Sequence, residues 1–114
     1  MVEEKPTLEG QRYFQLQEPT RNEKLAVGAT SVVVAETRNV DNPRKVIILR
    51  NTSDNAAKII TVHMGQGVAV AEVGIVLKQN EAVTDSSESG YKCHQGTITA
   101  ICAVADGQLS IFER

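Results

Sequence analysis

Apolar residues in this chain come in short β-branched runs separated by polar clusters, and no stretch repeats them at helical spacing. The clearest pair is Val46-Ile47-Ile48-Leu49 and Ile59-Ile60-Thr61-Val62, inside the stretch from Arg44 to Met64. Between them lies Asn51-Thr52-Ser53-Asp54-Asn55, whose short side chains bond to their own backbone and favour a turn. Thr30 to Ala35 predicts a strand before this pair, and Leu25-Ala26-Val27 a short edge strand before that. Glu36 to Pro43 is a loop, because Asn42-Pro43 is a breaker and Pro43 has no N–H for a ladder. After the pair, Gly65-Gln66-Gly67 ends a strand, and Val68 to Val73 forms a loop of small apolar residues. Gly74 to Leu77 is a strand, Lys78 to Glu81 a tight turn, and Ala82 to Thr84 a short strand before the hydrophilic loop from Asp85 to Gly90. Thr97 to Val104 is a long strand, and Asp106-Gly107 predicts a hairpin into Leu109 to Phe112, where Leu109 and Ile111 alternate with Ser110. About eight strands at spacings of roughly ten residues predict an all-β fold, an antiparallel β-sandwich of jelly-roll-like form.

The N-terminal residues read differently. Met1 to Gly10 is charged and has little to bury, whereas Tyr13, Phe14 and Leu16 place apolar side chains in the polar setting QRYFQLQEP. The expected organisation is an extended arm over residues 1–28 and a sandwich over residues 29–114. Tyr13, Phe14 and Leu16 either plug the end of the domain's own core or dock the arm on a neighbouring subunit. A length of 114 residues suits one domain, and with aromatics at 4% and no Trp its interior must be aliphatic. The net charge of −2 gives no sign of the basic face of a nucleic-acid binder. The acidic start has no apolar h-region, and no window is long and apolar enough to span a membrane. Synthesis in the cytoplasm is expected, with both cysteines as free thiols.

Chemistry-bearing residues are few. Cys93, Cys102, His63 and His94 form a nominal metal set, but Cys93 and His94 are adjacent, so an extended chain points them to opposite faces. Cys102 sits in an apolar strand as a small hydrophobe. A Cys–His nucleophile pair has no orienting third group nearby. Asp85, Glu88 and Glu81 lack the ordered spacing of a calcium loop. Gly65-Gln66-Gly67 lacks the third glycine and following helix of a phosphate-binding loop, so its glycines serve a turn. No catalytic residue, metal or cofactor is expected.

The pattern RKVIILRNTS over Arg44 to Ser53, the strand from Gly74 to Leu77 with its turn to Glu81, the segment from Gln95 to Ile101, and the final strand from Leu109 to Arg114 together resemble small β-sandwich proteins of tailed-phage particles. The similarity covers Thr30 to Arg114. It implies a non-enzymatic virion component, first of all a head decoration (cement) protein on the outer capsid surface. The partners then expected are the major capsid protein and further copies of the chain, most simply in a trimer, with Tyr13, Phe14 and Leu16 as arm contacts. A tail, neck or fibre-base protein is the alternative within that class. Outside it stand a small carbohydrate-binding module, for which only Tyr91 near Asp85 and Glu88 offers a platform, and a cupin-like enzyme, which two histidines supply poorly.

Overall fold

The computed structural model describes residues 20–88 and 90–114. These form eight strands: β1 (Arg21–Val27), β2 (Val32–Ala35), β3 (Val46–Asn51), β4 (Ile60–Met64), β5 (Ile75–Leu77), β6 (Ala82–Ser86), β7 (Ile98–Cys102) and β8 (Gly107–Glu113). They lie in two antiparallel sheets of order β1-β8-β3-β6 and β2-β7-β4-β5. β1 pairs with β8, β2 with β7, β3 with β6 and β4 with β5, as in one long ribbon doubled back at β4 and β5. The ribbon curls until β3 also meets β8 and β4 also meets β7. That is the strand order of a jelly roll.

Two features of the sequence are corrected by this topology. Asp106-Gly107 does not close a hairpin, because β7 and β8 belong to opposite sheets. Asp106 does take a left-handed φ of 66°, so the dipeptide turns the chain, but the turn crosses the gap between sheets. Gly107 is needed for contact: a Cβ there would stand 2.7 Å from Cys102 Sγ and 2.8 Å from the Val27 carbonyl. Likewise β3 and β4 lie in opposite sheets, so the polar turn between them is a crossover. The edge strand predicted at Leu25-Ala26-Val27 is present but longer: residues 21–27, within the 1–28 arm by sequence, form β1 and zip along all of β8. Their polar side chains suit an edge strand with one exposed face.

The core fills the space between the sheets. Val27, Ile47, Leu49, Leu109 and Ile111 come from one sheet, facing Val34, Ile60, Val62, Leu77, Ile98, Ala100 and Cys102 from the other. In β8 every second residue is buried, Gly107, Leu109, Ile111 and Glu113, as the two-residue period of a strand requires. The connections gather at two ends. At the upper end, Cys102 N–H bonds the Gly28 carbonyl, Asn80 N–H that of Asn51, and Ala103 N–H that of Ile59. At the lower end, Arg38 N–H bonds the Gln95 carbonyl, Ser87 N–H that of Lys45, and Gly65 N–H that of Thr97.

Candidate functional site

Each end of the sandwich is tied by a buried polar residue. At the upper end Asn51, fully buried, donates from Nδ2 to the carbonyls of Lys58 and Leu77, both at 2.8 Å, and accepts the Ser53 N–H at 3.0 Å. It therefore joins β3 to β5 across the sheets. The turn read at Asn51 from sequence is made by its bond to the Ser53 N–H, and the same inward-turned side chain closes β3.

At the lower end the tie is ionic. Arg44 is 1% exposed, and its Nε lies 2.8 Å from Glu113 Oε2. Its Nη atoms donate to the carbonyls of Glu36 at 2.7 Å, Gly96 at 3.3 Å, and His94. Gln95 holds the Arg44 main chain from both sides, accepting its N–H and donating to its carbonyl. Glu113 also meets Arg21 at 2.9 Å and Arg38 at 3.4 Å. Burial alone would raise the Glu113 pKa, but hydrogen bonds from Arg44 and Arg21 and the nearby guanidinium charges hold it below the usual carboxylate range. One carboxylate thus fixes β1, β8, the 36–45 loop and the 94–96 segment.

Beside this hub opens a cleft of about 720 Å³, lined by Arg38, Val40, Pro43, Lys45, Lys92 and Gln95 among others. Arg44 closes its inner wall, and among the described residues no carboxylate lines it. Val40, on the rim, is 93% exposed.

A second group of polar contacts centres on Asp85. Its carboxylate accepts the Tyr91 hydroxyl and the His94 N–H, each at 2.9 Å, while Cys93 Sγ reaches its carbonyl at 3.3 Å. Burial would raise the Asp85 pKa, yet the donors from His94, Tyr91 and Cys93 hold it low. Burial, followed by the Asp85 charge, pushes the Cys93 thiol up to about 11. A thiol so protonated is a poor nucleophile. Asp85, Tyr91 and His94 border a shallow hollow with Met64, Ile75 and Val83.

The third surface is the 65–74 loop. Gly65 and Gly67 take φ values of 130° and 96°, turning the chain back under β4, where His63 Nε2 meets the Gln66 carbonyl at 2.6 Å. The loop then crosses the outer face of the second sheet. Ala69 N–H bonds Ser31 Oγ beside β2, and Glu72 N–H bonds Thr61 Oγ1 on β4. This strap explains why Thr61 and Thr99 are buried although they point away from the core. The Thr99 hydroxyl finds no partner among the described residues. The strap presents Val68, Val70 and Val73 to solvent, all more than half exposed, flanked by Val33 and Val76 on the two edge strands.

The nominal metal set does not come together. Cys93 and Cys102 are free and buried, and His63 and His94 turn to carbonyls of their own loops. Among the described residues no three His, Cys, Asp or Glu side chains group as metal ligands. Glu81 caps the Lys78 N–H at the upper end, far from Asp85, and Glu88 bonds Ser86. Tyr13, Phe14 and Leu16 lie outside the described residues. Sequence reasoning missed Arg44 and Glu113, although an acid in phase with Leu109 and Ile111 was the signal of a buried cation partner. No family model, curated protein or solved structure matches the chain.

Proposed function

We propose that this chain is a structural component of a tailed-phage particle, a head decoration protein seated on the outer capsid lattice. The observation that carries the reading is the valine strap. Val68, Val70 and Val73 stand out on a loop anchored at Ser31, Thr61 and His63, so an apolar contact surface is held in a fixed shape before any partner arrives. Apolar side chains presented on a supported surface suit association with a protein lattice, where binding loses little ordering entropy. The resemblance of the strand-and-turn pattern to small phage sandwiches points the same way. The arm residues Tyr13, Phe14 and Leu16 are the further contacts expected, and a closed oligomer such as a trimer is the symmetric form.

The test is immunogold labelling of particles from a phage that encodes the chain, with Val70→Asp and Val73→Asp variants alongside. Label over the head surface, lost in the two variants while their circular dichroism is unchanged, is the expected result. Label confined to the tail or neck overturns the head assignment in favour of the alternative within the class. Absence of label from particles overturns the virion reading altogether.

A sugar-binding module is the second reading, favoured by one observation. Tyr91 is 58% exposed, with its hydroxyl on Asp85, beside the hollow that His94 borders. Glycan-array binding lost in Tyr91→Ala would carry that reading over the first.

A further inference from the structure

Two hollows at the lower end of the sandwich share a wall. The one beside Tyr91, of about 320 Å³, has Met64, Ile75 and Val83 as its apolar lining and Asp85 and His94 at its border. The other, of about 410 Å³, is lined by Thr37, Gln66, Thr97 and His94 with Gly65, Gly67 and Gly96. His94 belongs to both, and Met64 of the first hollow adjoins Gly65 of the second in the chain. The two therefore open side by side as one groove. The Gly65 N–H bonds the Thr97 carbonyl at 3.3 Å, so the walls of the second hollow are already tied together. A Cβ on Gly96 would come 3.0 Å from His94 Nε2, so glycine leaves the imidazole room in the groove.

The lining is polar without being cationic. Among the described residues no Lys or Arg lines either hollow, and the Asp85 carboxylate at one end disfavours an anion. What remains is an aromatic face and a set of neutral hydrogen-bonding groups. Tyr91 is 58% exposed with its hydroxyl held on Asp85 at 2.9 Å, so the ring is fixed in advance and little ordering entropy is lost on binding. The hydroxyls of Thr37 and Thr97 bond each other at 2.9 Å, which uses one hydrogen and leaves the second, with spare lone pairs. Gln66 adds an amide donor and acceptor from an exposed side chain. The contact of His94 Nε2 with the Thr97 carbonyl is long, at 3.4 Å, and easily exchanged for a ligand hydroxyl. A sugar unit matches such a lining: its C–H face stacks on an aromatic ring, and its hydroxyls pair with neutral donors and acceptors.

We propose that the two hollows form a single groove for a neutral oligosaccharide. One sugar unit stacks on the Tyr91 ring, and the next lies past His94 on Thr37, Gln66 and Thr97. The inference rests on the sugar-binding reading of the Tyr91 hollow and extends it, giving that site a second subsite and an uncharged ligand.

The experiment titrates the isotope-labelled full chain by NMR with neutral mono-, di- and tetrasaccharides of glucose, galactose, mannose and N-acetylglucosamine, and with tetragalacturonate as the charged control. The expected result is that a neutral disaccharide shifts the amides of Tyr91, His94, Gln66 and Thr97 together, and binds at least about tenfold more tightly than its monosaccharide. Thr37→Ala and Gln66→Ala, both at exposed positions, should each weaken the disaccharide about three- to tenfold and leave the monosaccharide unchanged. Tyr91→Ala should abolish binding of both. Shifts confined to the Tyr91 hollow, with no gain from the second unit and no effect of Thr37→Ala or Gln66→Ala, overturn the groove and leave the sugar-binding reading standing. Tighter binding of tetragalacturonate overturns the neutral ligand class. No shift with any saccharide overturns the groove and the sugar-binding reading together.

Discussion

Replacing Glu113 by Gln should be among the costliest isosteric changes in this fold. The substitution keeps shape and one acceptor oxygen but removes the charge facing Arg44, Arg21 and Arg38 at 2.8, 2.9 and 3.4 Å. Arg44 has no exposed side-chain surface, so its guanidinium is left in the interior with carbonyl acceptors only. Removing one member of a buried pair costs about 3–5 kcal/mol, because the remaining charge is neither paired nor hydrated. That is a large part of the 5–15 kcal/mol by which domains are stable. With a urea slope near 1.5 kcal/mol/M, the midpoint should fall by about 2–3 M. The acid limb provides a second reading. Glu113 titrates below the usual range when folded, so its stabilisation is present above the unfolded pKa of about 4.3 and is lost as pH falls through the folded value. Glu113→Gln should therefore flatten the stability profile below that pH. Asp54→Asn, which breaks only the surface pair with Lys58, is the control expected to leave the midpoint in place. A midpoint for Glu113→Gln indistinguishable from that control would refute the argument.

Three further outcomes follow from the geometry. Gly107→Ala should destabilise by about 1–3 kcal/mol in thermal unfolding, since one of the two clashing atoms is the Val27 carbonyl, which is main chain. Asn51→Ala should cost about 2–4 kcal/mol in urea, because the Lys58 and Leu77 carbonyls lose their donor and the Ser53 N–H its acceptor. The Tyr91 phenol, raised by its hydrogen bond to Asp85, should ionise above its ordinary pH in ultraviolet titration and return toward it in Asp85→Asn.

How much of this was legible depends on the range of the interaction. Strand positions follow from local pattern: β-branched runs at β3, β4 and β7, and alternation in β8, are visible within a few residues. Sheet membership is not local. Asp106-Gly107 reads as a hairpin because nothing nearby says that Val27, far back in the chain, crowds Gly107 from the neighbouring strand. The Arg44–Glu113 pair spans 69 positions, so no window contains it. Its trace was the acid at an inward phase of β8. The apolar loop from Val68 to Val73 was readable as a loop, but its path over Thr61 and Thr99 depends on bonds to Ser31 beside β2 and to Thr61 on β4, neither of which its own residues announce. The cleft was invisible for the same reason, being made where the 36–45 loop meets residues 87–95.

The doubled ribbon also dictates an order of events during synthesis. Among the described strands only β4 and β5 are neighbours in both chain and sheet; the other pairings join strands distant in sequence. Such topologies fold slowly, because long loops must close before their contacts repay the entropy. In the first sheet the strand between β1 and β3 is β8, the last of the eight to leave the ribosome. Until it emerges, β1 and β3 lack the strand that joins them, and their main-chain edges stay open to other chains. The polar side chains of β1, from Arg21 to Lys24, then serve a nascent chain as much as a folded one: they keep a waiting edge soluble.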